Sequence, residues 1–108
     1  MNVDTLSGPL RSPIIDGADR AERVAEVLKA VAHPLRLRIV ALLCRGERHV
    51  NGLAVELATP QPIVSQQLRI LRARGLVEAT RENGFAHYRI AEPALRGLVG
   101  CMEKCDRG

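Results

Sequence analysis

Aromatic side chains are nearly missing from this 108-residue sequence, which has one Phe, one Tyr and no Trp. Its core must therefore be aliphatic, and a small aliphatic core gains by sharing surface with a second copy. No run of about 18 apolar residues occurs, so a membrane-spanning helix is excluded. The first twenty residues show no basic segment followed by an apolar one, so no secretory signal is read and the expected compartment is the cytoplasm. Also missing are a Ser/His/Asp or Cys/His constellation, paired carboxylates and a Gly-rich phosphate loop, which argues against an enzyme. The cysteines, Cys44, Cys101 and Cys105, are three in number and cannot all pair within one chain. Outside an oxidising compartment, an odd count points to free thiols, metal ligation or redox chemistry.

What is present fits one globular domain. Hydrophobic residues make up 46% and charged residues 26%, too apolar for a disordered chain. The net charge is +4 and the basic residues are mostly Arg. Guanidinium groups donate bidentately to oxyanions, so this balance suits phosphate contacts.

Residues 1–18 carry Gly8, Pro9, Pro13 and Gly17 and are expected to form a flexible tail ahead of a domain over 19–108. A first helix is expected over about 19–32, capped by Asp16 or Asp19, with Val24, Val27, Leu28 and Val31 on one stripe. His33-Pro34 ends it and Pro34 opens a second helix to about Cys44, apolar on most sides and so central. A short helix over about 50–57 leads into the turn Ala58-Thr59-Pro60-Gln61-Pro62. A fourth helix over about 63–74 buries Ile63, Val64, Leu68 and Leu71, and Gly75 stops it. Residues 76–90 read as strand, Asn83-Gly84 turn, strand. A fifth helix over about 93–105 places Leu95, Leu98, Val99 and Met102 on one face. Two helices joined by a tight turn, the second polar and basic on one face, make a helix-turn-helix, and the hairpin after it is a wing. The expected class is mainly α: five helices and a small β-hairpin wing.

Three pieces in this order carry a resemblance: A-H-P-L-R-L-R-I over 32–39, S-Q-Q-L-R-I-L-R-A-R-G-L-V over 65–77, and a wing ending in Tyr88-Arg89-Ile90. Together they resemble the ArsR/SmtB family of winged-helix repressors, over roughly residues 22–102. The resemblance implies a homodimer built from the first and last helices. It implies two recognition helices reading double-stranded DNA at a palindromic operator, and an inducer that releases the DNA.

The residue chemistry agrees. A recognition helix needs short polar side chains in its N-terminal part, which enters the major groove. Ser65, Gln66 and Gln67 supply them; Gln can pair bidentately with adenine, and Ser can bond several base edges. Thr59 and Gln61, in the turn, are placed to reach phosphate or base. Arg69, Arg72 and Arg74 are assigned to phosphates or surface ion pairs, and Arg81 at the wing base to the backbone or minor groove. Arg36 and Arg38, distant from the recognition helix along the chain, are assigned to solvent or ion pairs. Exposed acidic or apolar residues on the fourth helix would instead favour a winged-helix protein-interaction module; Gln and Arg there argue against it.

For the inducer, the resemblance supplies two metal sites that this sequence lacks. Family members that sense soft metals or arsenite carry Cys-x-Cys at the start of the third helix, where this chain has His49 and Asn51. Members that bind zinc across the last helices use Asp and His, which the last helix here does not match. Cys44, Cys101 and Cys105 remain as metal or thiol-sensing candidates. Cys101 and Cys105 are spaced i, i+4, and Cys44 could complete a trigonal sulfur site for As(III) or Sb(III). The same thiols with His49 or a carboxylate could take a soft divalent metal. A reversible disulfide or polysulfide link between Cys44 and a last-helix thiol is the third alternative. Some family members pair a second-helix thiol with a last-helix thiol in this way, but here Cys44 falls about one turn later and the last-helix thiols earlier. No cofactor is expected to be needed for folding. His33 is assigned a structural role at the helix junction and His87 a solvated place on a wing strand.

Overall fold

The structure, a computed structural model, describes residues 12–105. Its elements are α1 (Pro13–Asp16), α2 (Ala18–Val31), α3 (Pro34–Cys44), β1 (Arg48–His49), α4 (Val50–Glu56), α5 (Gln61–Ala73), β2 (Val77–Glu82), β3 (Phe85–Ile90) and α6 (Ala94–Glu103). The three strands form one antiparallel sheet in the order β1-β3-β2. The fold is a winged helix-turn-helix, with α4 and α5 as the helix pair and β2–β3 as the wing.

Three features depart from the expected pattern. A sixth helix, the single turn α1, occupies part of the anticipated tail: Pro13 sits at its first turn and Ser12 Oγ accepts the Ile15 N–H at 3.0 Å. The rest of the anticipated tail, residues 1–11, lies outside the described residues. Neither Asp16 nor Asp19 caps α2, whose N-cap is Gly17 without a side-chain bond, because α1 runs directly into it. Finally, Arg48 and His49 form an unanticipated third strand, paired with Tyr88 and His87.

The core is aliphatic, as the composition requires. Ile39, Val40 and Leu43 of α3, Leu53 of α4, and Val64, Leu68 and Leu71 of α5 are at most 1% exposed. Leu76 and Val77 at the root of the wing, and Leu95 and Val99 of α6, close the cluster. The spacing 64, 68, 71 is one helical stripe. Ile63 lies off that stripe and is 44% exposed, so it is not a core residue. Leu28 and Met102 are also exposed, although α2 and α6 are amphipathic.

Capping fixes where the elements turn. His33 is the N-cap of α3, its Nδ1 accepting the N–H groups of Leu35 and Arg36 at 3.2 and 3.4 Å. This is the structural role expected of it. His49 caps α4 in the same way, accepting the Gly52 N–H at 3.2 Å. Helices α4 and α5 both end in a crossed pair of hydrogen bonds around a left-handed residue. After α5 that residue is Gly75 at φ 73°, with Leu76 N–H bonded to Leu71 O and Gly75 N–H to Arg72 O. After α4 it is Ala58 at φ 49°, with Thr59 N–H bonded to Ala54 O and Ala58 N–H to Val55 O. The wing turn at Asn83 and Gly84 has φ 54° and 84°, the two-residue type the sequence signals.

An alanine in the left-handed region is strained by about 1–2 kcal/mol, a cost that glycine does not carry. Ala58→Gly should therefore raise stability by up to about 1 kcal/mol, and Gly75→Ala should lower it by about 1 kcal/mol or more. Urea unfolding at fixed protomer concentration measures both; a destabilised Ala58→Gly would contradict the assigned backbone.

Candidate nucleic-acid interface

Helix α5 is held from beneath by Val64, Leu68 and Leu71, so its opposite face is presented outward. Gln61, Pro62, Gln66, Arg69 and Arg72 are exposed on it, and Ser65 and Gln67 are half-buried along its flanks. Gln61 is the first residue of the helix, with Pro62 next, where its missing N–H costs nothing. Ser65 and Gln66 thus stand in the N-terminal half of a recognition helix, with short polar groups free to meet base edges. Ile63 adds an exposed apolar side chain beside them, which the sequence disguises because an apolar residue next to Val64 looks like part of the buried stripe.

The arginines divide into two groups. Arg69 and Arg72 are exposed along the outward face and pair with no acidic side chain among the described residues. Arg81, on the exposed end of the wing, donates to the Gly84 carbonyl at 3.3 Å and so lies along the hairpin tip. Arg74 instead pairs with Glu26 of α2 at 3.1 Å, an exposed contact that ties the end of α5 back to α2. Thr59 is turned inward, its hydroxyl donating to the Leu57 carbonyl at 2.9 Å, and so shapes the turn. The largest revision concerns Arg36. It is neither solvated nor ion-paired: its Nη1 donates to Gln67 Oε1 at 3.0 Å and its Nε to the Ala30 carbonyl at 2.6 Å. A separation of 31 positions along the chain hid this contact from any local pattern.

The three candidate thiols are free, with no disulfide between them. Cys44 ends α3 half-buried, its carbonyl accepting from Arg96 of α6 at 2.8 Å. Arg45, next to it, pairs with Glu103 at 3.7 Å. Positions 96 and 103 therefore mark the α6 face that meets the end of α3. Cys101 lies about 140° round the helix from Arg96 and is exposed. Cys105 is exposed two residues past the end of α6, which stops at Glu103 rather than at Cys105 as the sequence suggested. Among the described residues, no three His, Cys, Asp or Glu side chains converge as a metal-holding group. Burial pushes the Cys44 thiol pKa up; Arg96 partly offsets this and Glu103 adds to it.

His49 is exposed, 5.9 Å edge-on from His87 and 6.2 Å from Phe85 between ring centroids. His87 is therefore a half-buried neighbour of His49 rather than a purely solvated residue. As a cap, His49 uses Nδ1 as acceptor, which puts its proton on Nε2. A metal ion at Nε2 would displace that proton to Nδ1 and remove the cap, so ligation here competes with the start of α4.

The family model described as "Bacterial regulatory protein, arsR family" matches residues 33–79, which span α3 to the first part of the wing. The biofilm growth-associated repressor of Xylella fastidiosa is 39% identical over 87 residues, covering 81% of this chain and 76% of the relative. The crystal structure of the transcriptional repressor BigR from Xylella fastidiosa superposes with a TM-score of 0.77 at 37% identity, over 85% of this chain and 96% of that one. The solution structure of the homodimeric winged helix-turn-helix DNA-binding domain of Mb0332 from Mycobacterium bovis gives 0.70 at 35% identity, over 86% and 84%. The chain is a DNA-binding winged-helix regulator, and it belongs to the ArsR/SmtB family of transcriptional repressors.

On a duplex selected from a randomised pool, Ser65→Ala with Gln66→Ala should weaken binding by about 1–3 kcal/mol per lost base contact and relax base preference. Arg72→Gln should weaken all duplexes alike and reduce the slope of log affinity against log salt by about one. Equal salt slopes for Arg72→Gln and the parent would remove Arg72 from the phosphate contacts. Because its thiol pKa is raised, Cys44 should be a smaller fraction thiolate than an ordinary cysteine at pH 8. Iodoacetamide should therefore label it last of the three, and Glu103→Gln, which removes one of the groups raising that pKa, should speed its labelling.

Proposed function

We infer that the protein is a homodimeric repressor whose two α5 helices read a palindromic operator, and that an inducer acting on its thiols releases the DNA. The observation that carries the DNA reading is the outward polar face of α5, with Ser65 and Gln66 held over a fully buried aliphatic stripe and with Arg69 and Arg72 exposed further along the same helix. Supporting the dimer is an open cleft of about 370 Å³ between α2 and α6, floored by Val24, Val27, Leu95 and Leu98. Exposed Leu28 also lines it, which leaves an apolar face that a second copy would cover. The Mycobacterium bovis domain described above is homodimeric, in keeping with that reading.

The inducer reading rests on the placement of the thiols. Cys101 and Cys105 are exposed at the far end of α6, a helix that lines the same cleft. Cys44 lies at the end of α3, beside α6. Modifying or ligating thiols here would alter how α6 packs, and with it the angle between protomers. Two recognition helices must sit about 34 Å apart to meet successive major grooves, so a small rotation weakens both contacts together. The candidate inducers are As(III) or Sb(III), a soft divalent metal, and a sulfane-sulfur or oxidant chemistry that links two cysteines.

Intact mass spectrometry of the reduced protein, with DNA binding measured in parallel, tests this under arsenite, cadmium or zinc, sulfane sulfur and peroxide. One challenge should both change the mass and release the duplex, and Cys101→Ser with Cys105→Ser should abolish both effects. Release that survives in that variant, or no release under any challenge, would defeat the thiol mechanism and leave the DNA reading intact.

A further inference from the structure

Proline 34 has no N–H, so the carbonyl of Ala30, four residues earlier, meets no backbone donor where α2 gives way to α3. Arg36 fills that position with its Nε at 2.6 Å. The backbone N–H of Arg36 is itself held by His33 Nδ1. The side chain thus leaves a fixed backbone, is pinned midway on Ala30, and ends with Nη1 on Gln67 Oε1 at 3.0 Å. Both Arg36 and Gln67 are half-buried. The other amide atom, Nε2 of Gln67, bonds to no described residue. It is not among the buried side-chain atoms that lack a partner, so against the described residues alone it keeps a path to solvent.

This arrangement changes what Gln67 can read. A free glutamine meets adenine with both amide atoms, the oxygen accepting from N6 and the nitrogen donating to N7. In this protein the oxygen is turned toward α3 and engaged by a guanidinium, and only the NH2 group is offered. We propose that Arg36 is a specificity-setting positioning residue: it holds Gln67 as a donor, which removes the two-bond adenine mode and favours edges that present only acceptors, guanine N7/O6 or thymine O4, over adenine, whose N7 acceptor lies beside the N6 donor. Arg36 does not touch the DNA; it acts through Gln67. The proposal rests on the DNA reading of α5 given above and specifies what one position of that helix recognises.

Selection of duplexes from a randomised pool, followed by sequencing, reads the preference of each variant directly. Gln67→Ala should relax one position per half-site at which the parent takes guanine or thymine. Arg36→Met should shift that same position toward adenine and weaken binding to the parent's best duplex about tenfold, the scale of one base contact. Arg36→Lys should behave alike, since a single ammonium cannot serve the Ala30 carbonyl and Gln67 as the fork does. It keeps the charge and carries the test if Arg36→Met unfolds. Gln67→Glu retains the Arg36 contact but lacks the outward donor, and should bind as weakly as Gln67→Ala. The combined Arg36→Met/Gln67→Ala variant should show no preference at the position. An unchanged base profile in Arg36→Met and Arg36→Lys, with binding weakened uniformly, would overturn the proposal, and so would a Gln67→Ala profile identical to the parent's. If Ser65→Ala with Gln66→Ala also left binding unchanged, the reading of α5 would itself fall.

Discussion

Close packing around α3 is the constraint on which the rest of the molecule depends. Ile39, Val40 and Leu43 are at most 1% exposed, and α2, α5, α6 and β3 all pack against this one helix. With one Phe and one Tyr, no large planar group fills gaps, so branched aliphatic side chains must interdigitate closely. The position of α5 follows from that fit. Removing a methylene from Leu68 or Leu71 would disturb the polar face on the other side of the same helix, because interiors transmit strain rather than absorb it.

Polar ties refine what packing sets. Helix α2 is joined to α5 twice, through Ala30, Arg36 and Gln67 and through Glu26 and Arg74. The second tie is exposed and adds little to stability on its own. The first is half-buried and also satisfies a carbonyl that the following proline leaves open. Since α2 also lines the apolar cleft, the face left for a second copy is tied directly to α5.

Much of the architecture was legible in the sequence, because it is written in strong local signals. Asn83-Gly84 announced the wing, His33-Pro34 the break between α2 and α3, Gly75 the end of α5, and the 64, 68, 71 spacing its buried face. The missed features lack such signals. Strand β1 has two residues, too few for any alternation. The left-handed turn after α4 is occupied by Ala58, where the usual marker would be glycine. Histidine is an uncommon N-cap, so the role of His49 in starting α4 was hidden behind its possible role as a ligand. Assigning Arg36 to solvent failed because its partner is 31 residues away. The thiols were legible as residues but not as a site: whether Cys44 meets Cys101 depends on the rotation of α6 against α3, which spacing along the chain does not encode.

His49 belongs to two elements at once, pairing with His87 in the sheet and capping α4 immediately after. Arg48 adds a bond from the same short strand to Glu56 near the end of α4, at 2.7 Å. The root of the hairpin, at His87 and Tyr88, is therefore tied through β1 to both ends of α4. A tilt of α4 carries that root with it, since the same two residues serve the strand and the helix. Root and helix are like two bits cut on one key: neither turns without the other.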